Sequence, residues 1–335
     1  MGTINTSLYL QNIGVQGFLT QEQLAGLSIA IQTDTTSGGY TGKFYDKYGN
    51  VVTVIKGLVM SVLPQSIKLT VNEQFDYFTF TGSDIFVDWG DGSTSVITGG
   101  TNIPATHTYA TAGTYNISIW RDTTKSAPNI TAFYIDSMNI MNNADYLISV
   151  DALTDTITDI AIQGNNNLIA CDFSGLYGCE NIDFRNNHIF NDTLDLSALG
   201  NCTSLNIVDN ILFDKPLDFT FMKLLENLSV DQNNILNSAI DLSGLTLLSY
   251  FSFVDNLIYN QSINIAGLLS LIFINMSNGS LTTLDINAIL AACVSNGYTS
   301  TTIVLNGQTP PAPPSGQGIT DKAALILAGC SVTTD

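Results

Sequence analysis

The amino-acid sequence predicts a mainly β protein built, from the N-terminus, as a small domain, a β-sandwich, a solenoid with a parallel sheet and a terminal cap. The first observation is a repeat, because segments with one apolar pattern recur every 23 residues. The second is composition: only 12% of the 335 residues are charged, so the polar share comes from Asn, Ser, Thr and Gly, which favour strands and turns. The third is an alternation of apolar and polar residues, which is typical of half-buried strands.

The charge of the chain limits its partners. Ten Lys and Arg residues stand against 29 Asp and Glu residues, which gives a formal net charge of -19. Phosphate backbones and anionic lipid headgroups repel so acidic a chain, so we expect no nucleic-acid partner. The longest apolar runs are too short to span a bilayer, so we expect no membrane insertion. The N-terminus lacks the regions of a secretory signal, which predicts synthesis in a cytoplasm without export.

Residues 1–62 are expected to form a small N-terminal domain. Thr20 and Gln23 are spaced as a capping box, which predicts a short helix that starts there. The stretch KFYDKYGNVVTVIKG predicts a hairpin with its turn at residues 48–50. A small domain ahead of a spacer and a solenoid is interpreted, from architecture alone, as an attachment segment.

Residues 63–123 predict a β-sandwich. The stretches FDYFTF, DIFVDW and GTYNISIW alternate as strands, and GDGS is a turn. The order of WGDGS, HTYA and AGTYNISI resembles the PKD domain, an immunoglobulin-like sandwich. The residues that carry the resemblance are Trp89, Gly90, Asp91, Gly92, His107, Tyr109, Gly113, Thr114 and Tyr115. The resemblance implies a spacer or adhesion module without chemistry of its own.

Residues 124–281 contain the repeat. The pattern L-x-x-L-x-L-x-x-N-x-L fits segments that start at residues 179, 202, 225 and 248, with a weaker copy from 157. A decayed copy starts at 269 and has Ser277 in the place of the asparagine. Each copy also carries a second signature, such as LDLSAL, which predicts a short strand or tight turn on the opposite side. The pattern resembles a leucine-rich-repeat solenoid, and the resemblance covers roughly residues 130–291.

The repeated asparagines are expected to align. In such a solenoid Leu205 and Ile207 point to one side of a strand, and stacked copies make one continuous core. The asparagine after the strand is expected to close the turn with its side-chain amide, which satisfies backbone groups. The members of this column are Asn187, Asn210, Asn233 and Asn256. Cys179 and Cys202 share one inward position on adjacent coils and are interpreted as buried thiols, with a disulfide as the alternative.

Residues 282–335 are expected to cap the open end of the solenoid. A proline-rich extended segment starts this tail. A one- or two-turn helix is predicted from Thr320 or Asp321 to Gly329, and a last strand is predicted in CSVTT.

We expect neither enzyme activity nor a cofactor or metal. The two histidines, His107 and His188, belong to no catalytic motif. Asp88 and Asp91 lack the ligand number of a calcium loop. The five cysteines contain no CxxC pair, which argues against zinc.

The candidate binding surface is the concave face of the predicted solenoid. Its variable side chains mix acidic and amide groups with apolar spots, a mixture suited to a protein loop or a glycan. The alternative is a solvated face that only keeps the sheet soluble. The predicted binding residues are Arg185, Val208, Asp209, Asp231, Gln232, Val254, Asp255, Phe273 and Met276.

These features together favour a bacteriophage virion surface protein. Sandwich spacers work outside cells, whereas the chain shows no export signal, and a virion is made in the host cytoplasm and then exposed outside. The tail PPAPPSGQGITDKAALILAGCSVTTD resembles the ends of repeat proteins from phages of Bacteroidota hosts. We expect a head or tail fibre or a decoration protein. Its expected partners are other virion proteins, further copies of the chain, and a glycan or protein of the host surface. Two alternatives stay open: a secreted bacterial cell-surface adhesin or glycan-binding protein, and a purely structural virion subunit.

Overall fold

The chain divides into two compact units, Met1–Pro64 and Gln65–Asp335. The computed structural model describes residues 28–30, 43–45, 51–52, 67–73, 75, 77–121, 130–136, 147–152, 156–234 and 236–335.

In the first unit three short strands form one antiparallel sheet. They are β1 (Ser28–Ala30), β2 (Lys43–Tyr45) and β3 (Val51–Val52), and β2 lies in the middle. The pairing of β2 with β3 agrees with the predicted hairpin, whose turn lies outside the described residues. The start of the helix predicted from Thr20 also lies outside them, and the end of that segment, β1, is a strand paired with β2.

In the second unit nineteen strands and two helices are described. The strands of residues 67–152 are β4 (Ile67–Asn72), β5 (Tyr77–Gly82), β6 (Ile85–Asp88), β7 (Thr94–Ile97), β8 (Gly100–Thr106), β9 (Thr114–Arg121), β10 (Ala132–Asp136) and β11 (Leu147–Ala152). The strands of the repeats are β12 (Asp159–Gln163), β13 (Ala170–Cys171), β14 (Asn181–Arg185), β15 (Ser204–Asn206), β16 (Asn227–Ser229), β17 (Ile240–Asp241), β18 (Tyr250–Ser252), β19 (Ile263–Asn264) and β20 (Phe273–Asn275). The C-terminal elements are α1 (Thr283–Ser295), β21 (Thr302–Val304), α2 (Gln317–Leu327) and β22 (Ser331–Thr333).

Two large sheets run through the second unit, which is mainly β and contains a β-solenoid. The long sheet has eleven strands in the order β22-β21-β20-β18-β16-β15-β14-β12-β10-β5-β8, and the second has six in the order β13-β11-β4-β9-β6-β7. From β10 to β22 the neighbours in the long sheet are parallel, whereas β5 pairs antiparallel with both β10 and β8. Strand pairing in both sheets therefore crosses the predicted boundary at residue 123.

One hydrophobic core lies between the sheets and extends from Ile67 to Cys330. In its first part Phe78 of the long sheet contacts Trp89, with 6.1 Å between the ring centroids. The Tyr109 hydroxyl donates to the Trp89 carbonyl at 2.9 Å, and the His107 ring stacks on the Trp89 ring at 4.7 Å. These motif residues are thus part of the packing between the two sheets. Gly90 is required there, because its φ is +81° and a Cβ would lie 2.6 Å from the Asn116 carbonyl oxygen.

The coils of the solenoid stack in constant register. Two files of side chains point into the core from successive strands. The first contains Ile182, Leu205, Leu228, Phe251 and Ile274. The second, two residues later, contains Phe184, Ile207, Val230, Phe253 and Met276. The side chains between these files point to the other side of the long sheet, which we call the open face.

The four predicted asparagines stand in one file behind the strands, and Asn165 precedes them. Each is at most 1% exposed. The side-chain oxygens of the four predicted asparagines each accept a hydrogen bond of 3.1 Å from the backbone N–H of the preceding asparagine. The side-chain NH₂ groups donate at 2.7–3.0 Å to the carbonyls of Ile162, Phe184, Ile207 and Val230. The column therefore links each coil to the preceding one through hydrogen bonds between buried side-chain amides and backbone groups.

The residue before each column asparagine adopts the left-handed conformation. The φ values are +59° at Asn186, +56° at Asp209, +58° at Gln232 and +59° at Asp255. Asn and Asp tolerate this region better than other non-glycine residues. The turn that follows each strand thus has two requirements, a left-handed residue and a buried amide.

On the side opposite the long sheet, the second signature forms tight turns that we call the Asx turns. The carboxylate of each signature aspartate accepts the backbone N–H two residues later, at 2.8–3.0 Å, at Asp172, Asp195, Asp218 and Asp241. Two of these segments also pair as the short parallel strands β17 and β19. The expected short strands or tight turns are both present.

The register of the decayed copy was predicted incorrectly. Strand pairing of β20 with β18 aligns Ile274 with Phe251, so the asparagine position of this coil is Gly279 and not Ser277. The next coil continues the column with a glutamine, because strand pairing aligns Ile303 with Ile274 and Gln308 lies five residues after Ile303. Gln308, which is 3% exposed, donates to the carbonyls of Met276 and Leu305 and accepts from the Leu281 N–H. Gln308 therefore serves its own coil as the asparagines serve theirs, because it donates to the Met276 carbonyl as Asn256 donates to the Val230 carbonyl.

The C-terminal end contains two helices, of which the sequence predicted one. Residues 284–289, LDINAI, match the second signature of the repeats and were predicted to be its last copy, but they belong to α1. Thr282 and Asp285 form a reciprocal capping box at the start of this helix. The predicted second helix is longer than expected and occupies the eleven residues of α2. The predicted last strand corresponds to β22. All five cysteines are buried free thiols, and those of Cys179 and Cys202 lie near backbone carbonyls.

Candidate functional site

A polar groove lies on the open face where antiparallel β5 and β8 meet the parallel strands of the long sheet. We call it the junction groove, and its volume is about 600 Å³. Its lining comes from six strands: β5, β8, β10, β12, β14 and β15. The lining residues are Tyr77, Thr79, Asn102, Tyr134, Asp159, Ile160, Ala161, Gln163, Asn181, Ile182, Asp183, Ser204 and Asn206.

The alternation of the strands places these side chains in the groove. On β5, Phe78 and Phe80 are fully buried. Tyr77, which precedes Phe78, and Thr79, which lies between the two phenylalanines, therefore point to the open face. Thr79 is paired with Tyr134 of β10. The two tyrosines therefore reach the groove from neighbouring strands.

Asp183 organises one half of the groove. Its carboxylate accepts hydrogen bonds from Gln163 Nε2 and from Arg185 at 2.7 Å each, and from Asn206 Nδ2 at 3.4 Å. The Arg185 side chain is 41% exposed, so its ion pair with Asp183 is partly open to solvent. The Oδ1 atom of Asn206 is buried and has no hydrogen-bond partner among the described residues. This half thus holds an amide-rich floor around one carboxylate.

Asp159 organises the other half. It accepts from Asn181 Nδ2 at 2.7 Å and from the Thr158 hydroxyl at 2.8 Å. Burial raises the pKa of Tyr134, and the negative charge of Asp159 raises it further. The Tyr134 hydroxyl therefore stays protonated at neutral pH and can donate a hydrogen bond to a ligand.

Farther along the open face, Asp231 is a structural residue. Its carboxylate accepts from the Ser229 and Ser252 hydroxyls at 2.8 Å and from the Val254 N–H at 2.7 Å. The same face carries one aromatic pair, Tyr250 and Phe273, on adjacent strands. Their ring centroids are 4.7 Å apart and the ring planes differ by 5°.

The structure places eight of the nine predicted binding residues at partly or fully exposed positions and one in the core. Met276 is 1% exposed, and its prediction as a surface residue is wrong. It follows Asn275 on the inward side of the strand, in the file of Phe253, because the decayed copy was aligned two residues too early. The other eight are Arg185, Val208, Asp209, Asp231, Gln232, Val254, Asp255 and Phe273. Arg185 contacts the groove through its ion pair with Asp183. Asp209 and Gln232 are turn residues in the left-handed conformation. Phe273 belongs to the aromatic pair.

Sequence reasoning missed the residues of the groove that precede the clear repeats, such as Tyr77, Tyr134 and Asp159. The alternation in FDYFTF could have shown that Tyr77 points away from the core. The pairing of β5 with β10, which brings these side chains beside the repeats, has no local signal in the sequence.

The two histidines take part in local hydrogen bonds with aspartates. His107 lies 2.8 Å from Asp91, and His188 lies 3.3 Å from Asp209. Hydrogen bonds from Ser93, together with a smaller contribution from the hydrogen bond and charge of His107, lower the pKa of Asp91 to about 2. Among the residues with assigned positions, no group of three or more His, Cys, Asp or Glu side chains is arranged to hold a metal ion. Within the same part of the chain, no helix combines the length and apolarity needed to cross a membrane.

No family model, curated protein or solved structure matches the chain.

Proposed function

We propose that the chain is a non-enzymatic surface protein of a bacteriophage virion, a head or tail fibre or a decoration protein, which contacts the host surface through the open face of its long sheet. The observation that carries this proposal is the junction groove. Its volume of about 600 Å³ is within the range of roughly 300–1,000 Å³ that is usual for ligand pockets. Strands hold its tyrosines, amides and carboxylates, and rigid elements position a binding site better than loops do.

The architecture supports the same proposal. We propose that residues 63–123 are a PKD-like domain and that the coils are leucine-rich repeats. The packing of Trp89 with His107 and Tyr109 supports the first assignment, and the 23-residue hydrogen bonds of the asparagine column support the second. Both classes are known for contacts rather than chemistry. Residues 1–62 would attach the protein to other virion proteins and to further copies of the chain.

A binding role explains the open face better than a purely structural role does. The inward residues alone define the core, yet the outward residues of the groove differ from strand to strand. A solvated face needs no recess and no convergence of two tyrosines.

The test combines detection on particles with competition. Mass spectrometry of purified phage particles is expected to find the chain. The full-length protein, incubated with host cells, is expected to block adsorption of those particles. Thr79→Trp, which fills the groove from an outward position of β5, should abolish the block. Thr94→Trp, the same change at an exposed position of β7 in the other sheet, should leave it intact.

Three results would contradict the proposal in different ways. A chain absent from particles but present on the bacterial envelope would favour the secreted adhesin. A chain on particles that never competes for cells would favour the purely structural subunit. Equal competition by both tryptophan variants would exclude the junction groove as the contact site.

A further inference from the structure

We infer that the ligand of the open face is an uncharged polysaccharide that lies across the strands, from the junction groove to the Tyr250–Phe273 pair. This inference rests on the proposed function and names the ligand class of the same face. Three observations carry it: an exposed aromatic pair, a polar path that joins the pair to the groove, and the acidity of the surface.

The aromatic pair breaks the pattern of its position. In the other parallel strands from β14 to β22, the residues paired with Tyr250 and Phe273 are small and polar. They are Asn181, Ser204, Asn227, Thr302 and Ser331. The fold therefore accepts polar residues at this position. The two rings instead add apolar surface that is accessible to solvent, and Tyr250 is 38% exposed.

The orientation of the pair leaves one ring surface for a ligand. The two rings cover each other on one side, with parallel planes. The other side of the Tyr250 ring faces the strand of Asn227, an exposed and smaller residue, so no second ring covers it. Ligands with alternating apolar and hydroxyl surfaces use such a ring, because an aromatic side chain offers apolar area and the tyrosine hydroxyl offers a hydrogen bond.

The path between the pair and the groove carries hydroxyl and amide groups. Next to Tyr250, on the neighbouring strand β16, lie Asn227 and Ser229. On the strand beyond it, β15, Ser204 and Asn206 form the margin of the groove. These groups both donate and accept hydrogen bonds, as sugar hydroxyls do. From β15 to β18 there are two strand spacings, which is roughly 10 Å. A ligand of several linked units is needed to occupy both ends.

Charge decides between the classes of ligand that stack on aromatic rings. Nucleic-acid bases stack as well as sugars do, and anionic polysaccharides offer the same hydroxyls. The groove contains Asp159 and Asp183, and the chain has a net charge of -19. Phosphates, carboxylates and sulfates are repelled by such a surface. An uncharged polysaccharide avoids this cost and keeps every favourable contact.

The test uses envelope polysaccharide from the strain that propagates the phage, separated by anion exchange into a neutral and an anionic fraction. Affinity of the full-length chain for each fraction is measured by native affinity electrophoresis. We expect retardation by the neutral fraction alone. Tyr250→Asn, which installs the residue of the preceding coil, should weaken this affinity about tenfold, which corresponds to about 1.4 kcal/mol. Tyr177→Asn, the same change at a 61% exposed tyrosine after an Asx turn, is the matched control and should not alter it.

The outcomes separate this inference from the proposed function. Retardation by the anionic fraction alone overturns the inference, and so does unchanged affinity of the Tyr250→Asn variant for the neutral fraction. Retardation by neither fraction, while the chain still blocks phage adsorption, makes the receptor a protein and leaves the proposed function standing. Failure of both binding and adsorption block removes the two proposals together.

Discussion

Replacing one member of the asparagine column, Asn233, tests how the coils are joined. Asn233 is fully buried, and its side chain connects its own coil to the preceding one. Its oxygen accepts from the Asn210 N–H at 3.1 Å, and its NH₂ group donates to the Ile207 carbonyl at 2.7 Å. Asn233→Leu keeps the burial but removes both of these hydrogen bonds and a third, of 3.2 Å, to the Asp231 carbonyl, which still accepts from the Asp209 N–H.

The expected loss of stability follows from the two backbone groups that the substitution leaves unpaired. Each buried donor or acceptor without a partner costs about 1–3 kcal/mol. Two such groups give about 2–6 kcal/mol, and the apolar area that leucine buries offsets a part of this cost. We expect the free energy of unfolding to fall by about 3 kcal/mol, near the upper end of effects that single substitutions commonly have.

The assay is urea denaturation followed by circular dichroism, with hydrogen exchange as a local measurement. The control is Asn227→Leu, the same change on the exposed side of the same coil, which should alter stability by no more than about 0.5 kcal/mol. In the Asn233→Leu variant the amide of Asn210 should lose its protection against exchange. If the two variants were equally stable and the Asn210 amide stayed protected, the column would not join the coils and our reasoning would be refuted.

Three further predictions concern other parts of the repeat turns. Gln308→Ala should destabilise the chain by about 2–4 kcal/mol in the same urea assay, because buried groups such as the Leu281 N–H lose their partner; a change below about 0.5 kcal/mol would show that Gln308 does not join its coil to the preceding one. Gln232→Asn should raise the melting temperature slightly, because Asn tolerates the left-handed φ of +58° better than Gln; a lower melting temperature would contradict this reason. Hydrogen bonds from Thr220 lower the pKa of Asp218, so this carboxylate stabilises the fold above its unfolded-state pKa and loses that effect as the pH falls through the lowered value. Asp218→Asn should therefore weaken the acid dependence of the melting temperature, and an unchanged pH profile would count against the Asx turn.

The solenoid could be predicted because its geometry repeats in the sequence. Constant spacing of 23 residues fixes the register of neighbouring coils, so one strand pattern predicts them all. The pattern did not reveal which apolar residues after the asparagine are buried. Ile189 and Leu212 are 40% and 44% exposed, whereas the next residues, Phe190 and Phe213, are fully buried. Apolar character alone cannot distinguish the two positions, because the turn decides which side chain enters the core.

The junction groove could not be predicted, because it depends on pairing between distant segments. β5 and β10 join the sandwich strands to the repeat strands, and their partners are separated by about fifty residues. The end of the repeat region was mispredicted for a related reason. The coil after Gly279 contains α1 and is longer than 23 residues, so its column residue, Gln308, lies outside the periodic pattern that predicts the asparagines.

The most direct test of the account is hydroxyl-radical footprinting of the full-length chain, free and bound to host envelopes, because aromatic side chains lie both on the open face and on the opposite side. If the open face is the contact surface, we expect Tyr134, Tyr250 and Phe273 to become protected from hydroxyl-radical modification on binding. Tyr177 and Phe221, which follow Asx turns and are 61% and 54% exposed, should react equally in both states. Protection of Tyr177 and Phe221 with no change on the open face would contradict the claim that this face is the contact surface.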